Sequence, residues 1–131
     1  MDVGGRRFPL DLERGLADEV ERTLRGTDIT FQREIGLAGS RVDFLVLGPW
    51  GGPAAALELK AISANYPADR MIITQLQAQT YTEFLRGIRV LIVVPDSAAR
   101  RFRDLPAIVG VSDLVARLQP LLAVRASSGQ H

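Results

Sequence analysis

Residues Ser40 to Lys60 read S-R-V-D-F-L-V-L-G-P-W-G-G-P-A-A-A-L-E-L-K, and the fold predicted for this chain follows from them. The segments Arg41–Leu47 and Ala54–Lys60 are rich in apolar residues, which is typical of strands that pack on a core. Between them, Gly48–Pro53 contains three glycines and two prolines, which interrupt regular structure. The stretch therefore predicts a β-hairpin.

This hairpin gathers three charged side chains on one face if its strands pair symmetrically about the loop. That register sets Leu47 opposite Ala54, Leu45 opposite Ala56 and Asp43 opposite Glu58. Directly opposed residues share a face, with Cβ atoms roughly 5 Å apart. Lys60 follows Glu58 by two residues, so the pleat directs both side chains to the same face. Two carboxylates so close together repel each other unless a cation lies between them, which predicts a divalent-metal site.

The composition excludes several other kinds of chemistry. The chain has no cysteine, which excludes disulfides, thiolate metal sites and cysteine nucleophiles. Its single histidine is the last residue, His131, so histidine-centred catalysis has no base. The formal charge of +1 argues against a strongly basic surface for nucleic acid. Every cationic residue except Lys60 is an arginine, and arginine does not replace a compact ammonium that loses a proton.

The length of 131 residues suits one domain, expected over residues 1–125, followed by a flexible tail over residues 126–131. No apolar run approaches the roughly 20 residues that span a bilayer. The N-terminal residues lack the apolar core of a signal peptide. We therefore expect a cytoplasmic protein without a membrane anchor.

Periodicity along the rest of the chain predicts an α/β fold in which helices cover both faces of a mixed sheet. The expected elements before the hairpin are a loose leader over residues 1–9, a helix over Leu10–Arg25 capped by Asp11, and a strand over Ile29–Ile35 with Ile29, Phe31, Arg33 and Ile35 on one side. After it we expect helix Ala68–Arg86, strand Ile88–Val94, helix Ser97–Asp104, strand Ala107–Val111 and a helix that Ser112 caps and that ends near Leu122. The second helix has apolar residues at Met71, Ile72, Leu76, Tyr81, Phe84 and Leu85.

Glu13 lies near the middle of the apolar stripe that Leu16, Val20 and Leu24 form on the first helix. A carboxylate on such a face is costly unless it has a partner. Two interpretations stay open. Glu13 either belongs to a functional site or lies in the first turn because the helix dipole favours a negative charge there.

These residues together resemble the PD-(D/E)xK nuclease superfamily, which has the restriction-endonuclease-like fold. The resemblance consists of a helical Glu, a strand Asp and a Glu-x-Lys on the next strand, which are here Glu13, Asp43, Glu58 and Lys60. Gln77 and Tyr81 on the following helix resemble the Q-x-x-x-Y motif of the RecB-like branch, with Gln75 as an alternative match. The chain departs from the family name at Val42, where the name has a proline. The resemblance covers roughly residues 10–95.

The resemblance implies Mg²⁺-dependent hydrolysis of phosphodiester bonds, with Mn²⁺ as a substitute and with 5′-phosphate and 3′-hydroxyl ends. It implies metal ligation by Asp43, Glu58 and the backbone carbonyl of Leu59, with Glu13 binding a second metal or holding a metal-bound water. Lys60 would position or deprotonate the attacking water. Gln77 and Tyr81 would orient Lys60 or contact the substrate backbone near the scissile phosphate, although a solvated helix face would explain them as well.

The expected partner is DNA, and the expected assembly is a homodimer or a complex with a protein that supplies substrate choice. Candidate phosphate contacts are Arg41, Arg100, Arg101 and Arg103, although arginines on a short helix often only face solvent. The setting would be restriction, defence, mobile elements or repair. Three alternatives stay open: a structure-specific resolvase of branched, Holliday-junction-like DNA, a non-catalytic nucleic-acid-binding or assembly subunit of this fold, and an unrelated α/β domain in which Glu58 and Lys60 are an exposed strand pair.

Overall fold

The computed structural model describes residues 2–37 and 39–128, and their side chains over residues 12–37, 39 and 41–123. The helices and strands follow one another in the order α-β-β-β-α-β-α-β-α. They are α1 (Asp2–Arg25), β1 (Thr30–Leu37), β2 (Ser40–Leu47), β3 (Pro53–Leu59), α2 (Ala68–Phe84), β4 (Arg89–Val94), α3 (Asp96–Arg101), β5 (Ile108–Gly110), a 3₁₀ turn (Val111–Asp113) and α4 (Leu114–Ser128).

The five strands form one mixed sheet in the order β1-β2-β3-β4-β5. The first three strands are antiparallel to one another, whereas β3, β4 and β5 run parallel. Parallel neighbours need a crossover connection, and α2 and α3 supply the two crossovers. The predicted α/β class and the predicted mixed sheet are confirmed.

Each face of the sheet carries its own apolar core. Phe44, Leu57 and Val93 pack on one face with side chains of α1 and α4, including Val20 and Leu118. The opposite face packs on α2 and α3 through a second cluster. Its members include Leu45, Ala56, Ile92, Met71 and Ala98. Helices therefore cover both faces, as the sequence predicts.

The predicted hairpin register is confirmed at its centre. Leu45 pairs with Ala56, as expected, and Phe44 pairs with Leu57. Near the loop the prediction is wrong, because Leu47 pairs with Pro53 and not with Ala54. A bulge between Val46 and Leu47 absorbs the extra residue.

In β1 and in β2, the alternation of side chains between the two faces of the sheet is interrupted at one point of each strand. Phe31 packs on the α1 side of the sheet, whereas Ile35 packs on the α2 side, so the predicted common face is wrong for Ile35. Between them Glu34 has φ +52°, the left-handed region that non-glycine residues rarely adopt. On β2, Phe44 and Val42 likewise face opposite sides. The residue between those two is Asp43, which therefore lies where both strands change face.

Several element boundaries differ from the predictions. Helix α1 begins at Asp2, so the expected leader and the cap at Asp11 are wrong, because a stretch with glycines and a proline joins the helix without an apolar period. Helix α3 is shorter than expected and ends at Arg101. Helix α4 continues to Ser128, so the first residues of the expected tail are helical, and residues 129–131 lie outside the described residues.

The buried face of α2 also differs from its apolar pattern. Met71 and Leu85 are buried as expected, but Ile72, Leu76 and Phe84 are exposed. Polar residues take their place in the interior, namely Thr74 and Gln75. Since the sequence pattern equates apolar with buried, it assigns these three positions to the wrong face.

Candidate active site

One cavity brings together six of the residues that the sequence singles out. It has a volume of about 250 Å³ and lies where β2 and β3 meet α1 and α2. We call it the site cavity. Its lining residues are Glu13, Asp43, Glu58, Leu59, Lys60, Thr74, Gln77 and Ile92. Thr74 and Ile92 carry no motif signal, and only the packing of α2 on β4 places them there.

Asp43 is held by the strand that follows the hairpin loop. Its Oδ2 accepts a hydrogen bond of 2.7 Å from the backbone N–H of Leu59. This bond extends the β2–β3 pairing beyond Phe44 and Leu57, the last regular pair before it. One carboxylate oxygen is therefore engaged, and the bond fixes the side chain at the edge of the site cavity.

Glu58 lies next to Asp43 and remains exposed at the rim. Partial removal of water raises the pKa of its carboxyl group, and the negative charge of Asp43 raises that pKa further. Lys60 has the opposite, smaller effect on the same pKa. The two carboxylates therefore interact through space. The predicted pairing of Asp43 with Glu58 is not part of the regular β2–β3 register, which ends at Phe44 and Leu57.

Lys60 follows the last residue of β3 and extends into the same cavity. Its backbone N–H donates to the carbonyl of Val93 on β4 at 2.9 Å, which continues the parallel pairing by one residue. Its ammonium nitrogen lies 5.8 Å from the centroid of the Tyr66 ring. Tyr66 has no signal in the sequence, because this residue lies in an irregular connection without a periodic pattern.

Glu13 reaches the site cavity from the opposite side of the sheet. The buried stripe of α1 begins one turn later, with Leu16 and Ala17, and Glu13 itself is exposed. Glu13 therefore lines the cavity without being buried. The interpretation that places it in the first turn of the helix is wrong, because α1 begins at Asp2. Glu13 also lines a neighbouring cavity of about 230 Å³. Arg14, Arg33, Glu34 and Asp43 line that second cavity as well.

The two candidate glutamines have different environments. Gln77 is exposed and lines the site cavity. Gln75 is buried, and its Oε1 accepts a hydrogen bond of 2.7 Å from the backbone N–H of Ala107. This bond joins α2 to the residue that directly precedes β5. Of the two, only Gln77 lines the site cavity.

Tyr81 does not line the site cavity. It lines an adjacent apolar groove of about 610 Å³, to which Glu58 and Gln77 also contribute. Its hydroxyl oxygen is buried and has no hydrogen-bond partner among the described residues. The Tyr81 ring stacks on the exposed ring of Phe84, with centroids 6.2 Å apart.

The candidate phosphate-binding arginines lie in three different settings. Arg101 donates from Nη1 to the carbonyls of Ala64 and Tyr66, both at 2.6 Å, which gives it a structural role. Arg41 forms an exposed ion pair of 3.0 Å with Glu34. Arg100 and Arg103 are exposed. None of these four residues lines the site cavity.

The donor set of the site cavity fits a hard divalent cation. It offers carboxylate and carbonyl oxygens without sulfur or imidazole, which Mg²⁺ and Mn²⁺ prefer. Among the described side chains, neither Asp43 nor Glu58 has an ion pair with an Arg or Lys nitrogen. Over the same residues, no three acidic or histidine side chains form a group that could hold a metal ion. Mg²⁺ commonly uses one or two carboxylates and keeps several waters, so two suffice.

Comparisons of this chain with protein-family models, with curated proteins and with solved structures gave no match. Among the helices described, none combines the length and the apolar character needed to cross a membrane.

Proposed function

We propose that this protein is a metal-dependent nuclease of the PD-(D/E)xK class. The observation that carries the proposal is the site cavity, in which Glu13, Asp43, Glu58, Lys60 and Gln77 meet from four different elements. These residues are separated by up to 64 positions in the sequence, and each of them matches a residue of the resemblance. An unrelated α/β domain offers no reason for this convergence.

The architecture supports the same proposal at the level of the fold. A helix, three antiparallel strands, a crossover helix and a parallel strand follow in the order expected for a restriction-endonuclease-like core. The candidate residues lie on α1, at the ends of β2 and β3, and on α2.

In this proposal Asp43, Glu58 and the carbonyl oxygen of Leu59 would hold Mg²⁺ or Mn²⁺, and Glu13 would bind a second metal or hold a metal-bound water. A bound divalent ion offsets negative charge on the phosphate and makes water more acidic. Lys60 orients the attacking water as an ammonium, or takes up its proton as a neutral amine and so becomes an ammonium. In either case the ammonium offsets phosphate charge. The water oxygen attacks phosphorus, the bond to the 3′ oxygen breaks, and that oxygen gains a proton from solvent. Gln77 orients Lys60 or contacts the substrate backbone.

DNA is the proposed substrate, and the exposed arginines Arg41, Arg100 and Arg103 are its proposed phosphate contacts. Arg101 has a weaker claim, because its guanidinium already binds two carbonyls. We also propose a homodimer, because α2 exposes several large apolar side chains that water solvates poorly. They are Ile72, Ile73, Leu76 and Phe84.

Cleavage assays with Lys60→Ala test the proposal. The substrates are plasmid, single-stranded and four-way-junction DNA, each with Mg²⁺, Mn²⁺ or EDTA. We expect metal-dependent cleavage by the wild type and a loss of about 100-fold or more in the variant, which is the usual contribution of a positioned proton-transfer group. Arg86→Ala is the matched control, because Arg86 is an exposed cation outside the site cavity. Cleavage that EDTA does not inhibit, or that survives loss of Lys60, would contradict the proposal.

A second candidate is a non-catalytic nucleic-acid-binding subunit of the same fold. It is favoured by the spacing of the acidic side chains, since no three of those described form a metal-binding group. Thermal unfolding with Mg²⁺ and with EDTA separates the two candidates. A nuclease gains stability from Mg²⁺ and loses that gain in Asp43→Asn, whereas the binding subunit retains DNA and shows neither effect. Preferential cleavage of the four-way junction would identify the resolvase variant.

A further inference from the structure

The connection between β3 and α2 lies beside the site cavity and carries an aromatic ring next to Lys60. This connection spans residues 60–67. The Tyr66 ring lies 5.8 Å from the Lys60 ammonium nitrogen. The backbone N–H of Tyr66 donates to the carbonyl of Ser63 at 3.1 Å, which forms a turn. The turn therefore restrains the backbone of Tyr66 at a point from which its ring lies over the charged end of Lys60.

Arg101 fixes this turn from the end of α3. Its Nη1 donates to the carbonyls of Ala64 and Tyr66, both at 2.6 Å. Its guanidinium carbon lies 4.8 Å from the centroid of the Phe102 ring, and Phe102 is buried in the core between α2, α3 and the sheet. The guanidinium therefore connects the turn to the rigid part of the fold.

We propose that Tyr66 and Arg101 are positioning residues for Lys60. Lysine has four rotatable side-chain bonds, and fixing such a side chain is entropically costly. A cation that lies over an aromatic face is attracted by the ring, and this attraction favours the rotamers that keep the ammonium near Tyr66. Arg101 keeps the ring in place through two backbone carbonyls. The catalytic part of this inference rests on the proposed function, whereas the conformational part does not.

The sequence provides a direct probe, because Lys60 is the only lysine in the chain. Protein grown with lysine labelled with ¹³C at the ε carbon gives one side-chain NMR signal. In the wild type we expect that signal to be displaced from the value of free lysine, since ring currents act on atoms near an aromatic face. Tyr66→Phe keeps the ring and should retain the displacement. Tyr66→Leu should lose it. Arg101→Gln should reduce it, because the turn loses its anchor.

Cleavage kinetics supply the functional half of the test. Tyr66→Leu should lower kcat about two- to five-fold with KM unchanged, and Tyr66→Phe should restore it, since the attraction is of the size found at exposed cation–π pairs. Amide spectra of each variant establish that the fold is retained. An unchanged Lys60 signal in Tyr66→Leu would overturn the inference, even if the wild type cleaves DNA. A wild type that cleaves no DNA would overturn the proposed function, and the NMR result would still decide whether Tyr66 positions Lys60.

Discussion

Asp96 is the residue on which the start of the final helix depends. The sequence predicts Ser112 as the cap of that helix, but Ser112 lies in the 3₁₀ turn and donates through both its backbone N–H and its hydroxyl to the Asp96 carboxylate. Asp96 is the first residue of α3 and reaches this turn across β5. A contact between residues 16 positions apart has no local sequence signal. The sequence therefore predicts Ser112 as a cap of its own helix and not as a donor to Asp96, and that prediction is wrong.

The Asp96 carboxylate should make stability depend on pH in a defined direction. The hydrogen bonds from Ser112, first its side chain and then its backbone, lower the pKa of Asp96 below its usual 3.8. A depressed pKa contributes stability above pH 3.8 that is lost as the pH falls through the folded-state pKa. Asp96→Asn should therefore cost about 1 kcal/mol at neutral pH, the usual net value of such a bond, and much less at strongly acidic pH.

Urea unfolding of both proteins across this pH range measures the difference. Asp104→Asn is the control, because Asp104 is exposed and has no hydrogen bond or ion pair among the described residues. An equal difference at neutral and strongly acidic pH would show that the ionised carboxylate is not what stabilises the turn.

The position of Asp43 in β2 depends on an unusual backbone conformation at Glu34 in β1. This residue has φ +52° at the point where both strands change face. A side chain in the left-handed region costs about 1–2 kcal/mol, and a β-branched residue there costs more. Strained residues cluster at functional sites, and Glu34 lines the cavity beside Asp43.

Substitution of Glu34 tests this backbone conformation against ordinary strand propensity. Glu34→Val should destabilise the protein by about 2 kcal/mol or more, although valine favours regular strands. Glu34→Gly should lie within about 1 kcal/mol of the wild type, because glycine adopts this conformation freely but gains entropy in the unfolded chain. Glu34→Gln removes only the exposed ion pair with Arg41, so it measures the contribution of that pair to stability, which is at most about 1 kcal/mol. Denaturant unfolding measures all three. A valine variant as stable as the glycine variant would show that residue 34 is not left-handed in solution.

The elements differ in how far the sequence alone could predict them. The pairing of Leu45 with Ala56 followed from a loop of breakers between two apolar runs, and the position of Glu13 followed from helical spacing. The change of face at Glu34 could not be predicted, because no glycine marks the left-handed position. Tyr66 could not be predicted as a neighbour of Lys60, because an irregular connection has no period that fixes a side-chain direction.

At the scale of the whole molecule, α2 serves two surfaces. Its buried side contributes Thr74 to the site cavity and Met71 to the core, and the exposed Gln77 also lines that cavity. Its outer side exposes about half or more of several large apolar side chains, including Ile73 at 54% and Phe84 at 65%. Apolar groups gathered on one helix are typical of a surface that another protein covers. The groove beside this surface includes Glu58, so an assembly through α2 would lie next to the proposed active site.

A second copy of the chain is the occupant that we propose for the outer side of α2. Sedimentation of the wild type at micromolar concentration should give twice the mass of one chain, and Leu76→Glu should give the mass of one. Leu76 is 55% exposed, so a charged residue there should leave the fold of one chain intact. Burial of the same charge in an apolar contact between two chains would be costly, so the dimer should dissociate. Leu12→Glu is the matched control, because Leu12 is 46% exposed but lies on α1. A wild type that sediments as one chain would reject the homodimer and leave a different protein as the partner of this surface. A dimer that persists in Leu76→Glu would place the contact elsewhere on the molecule.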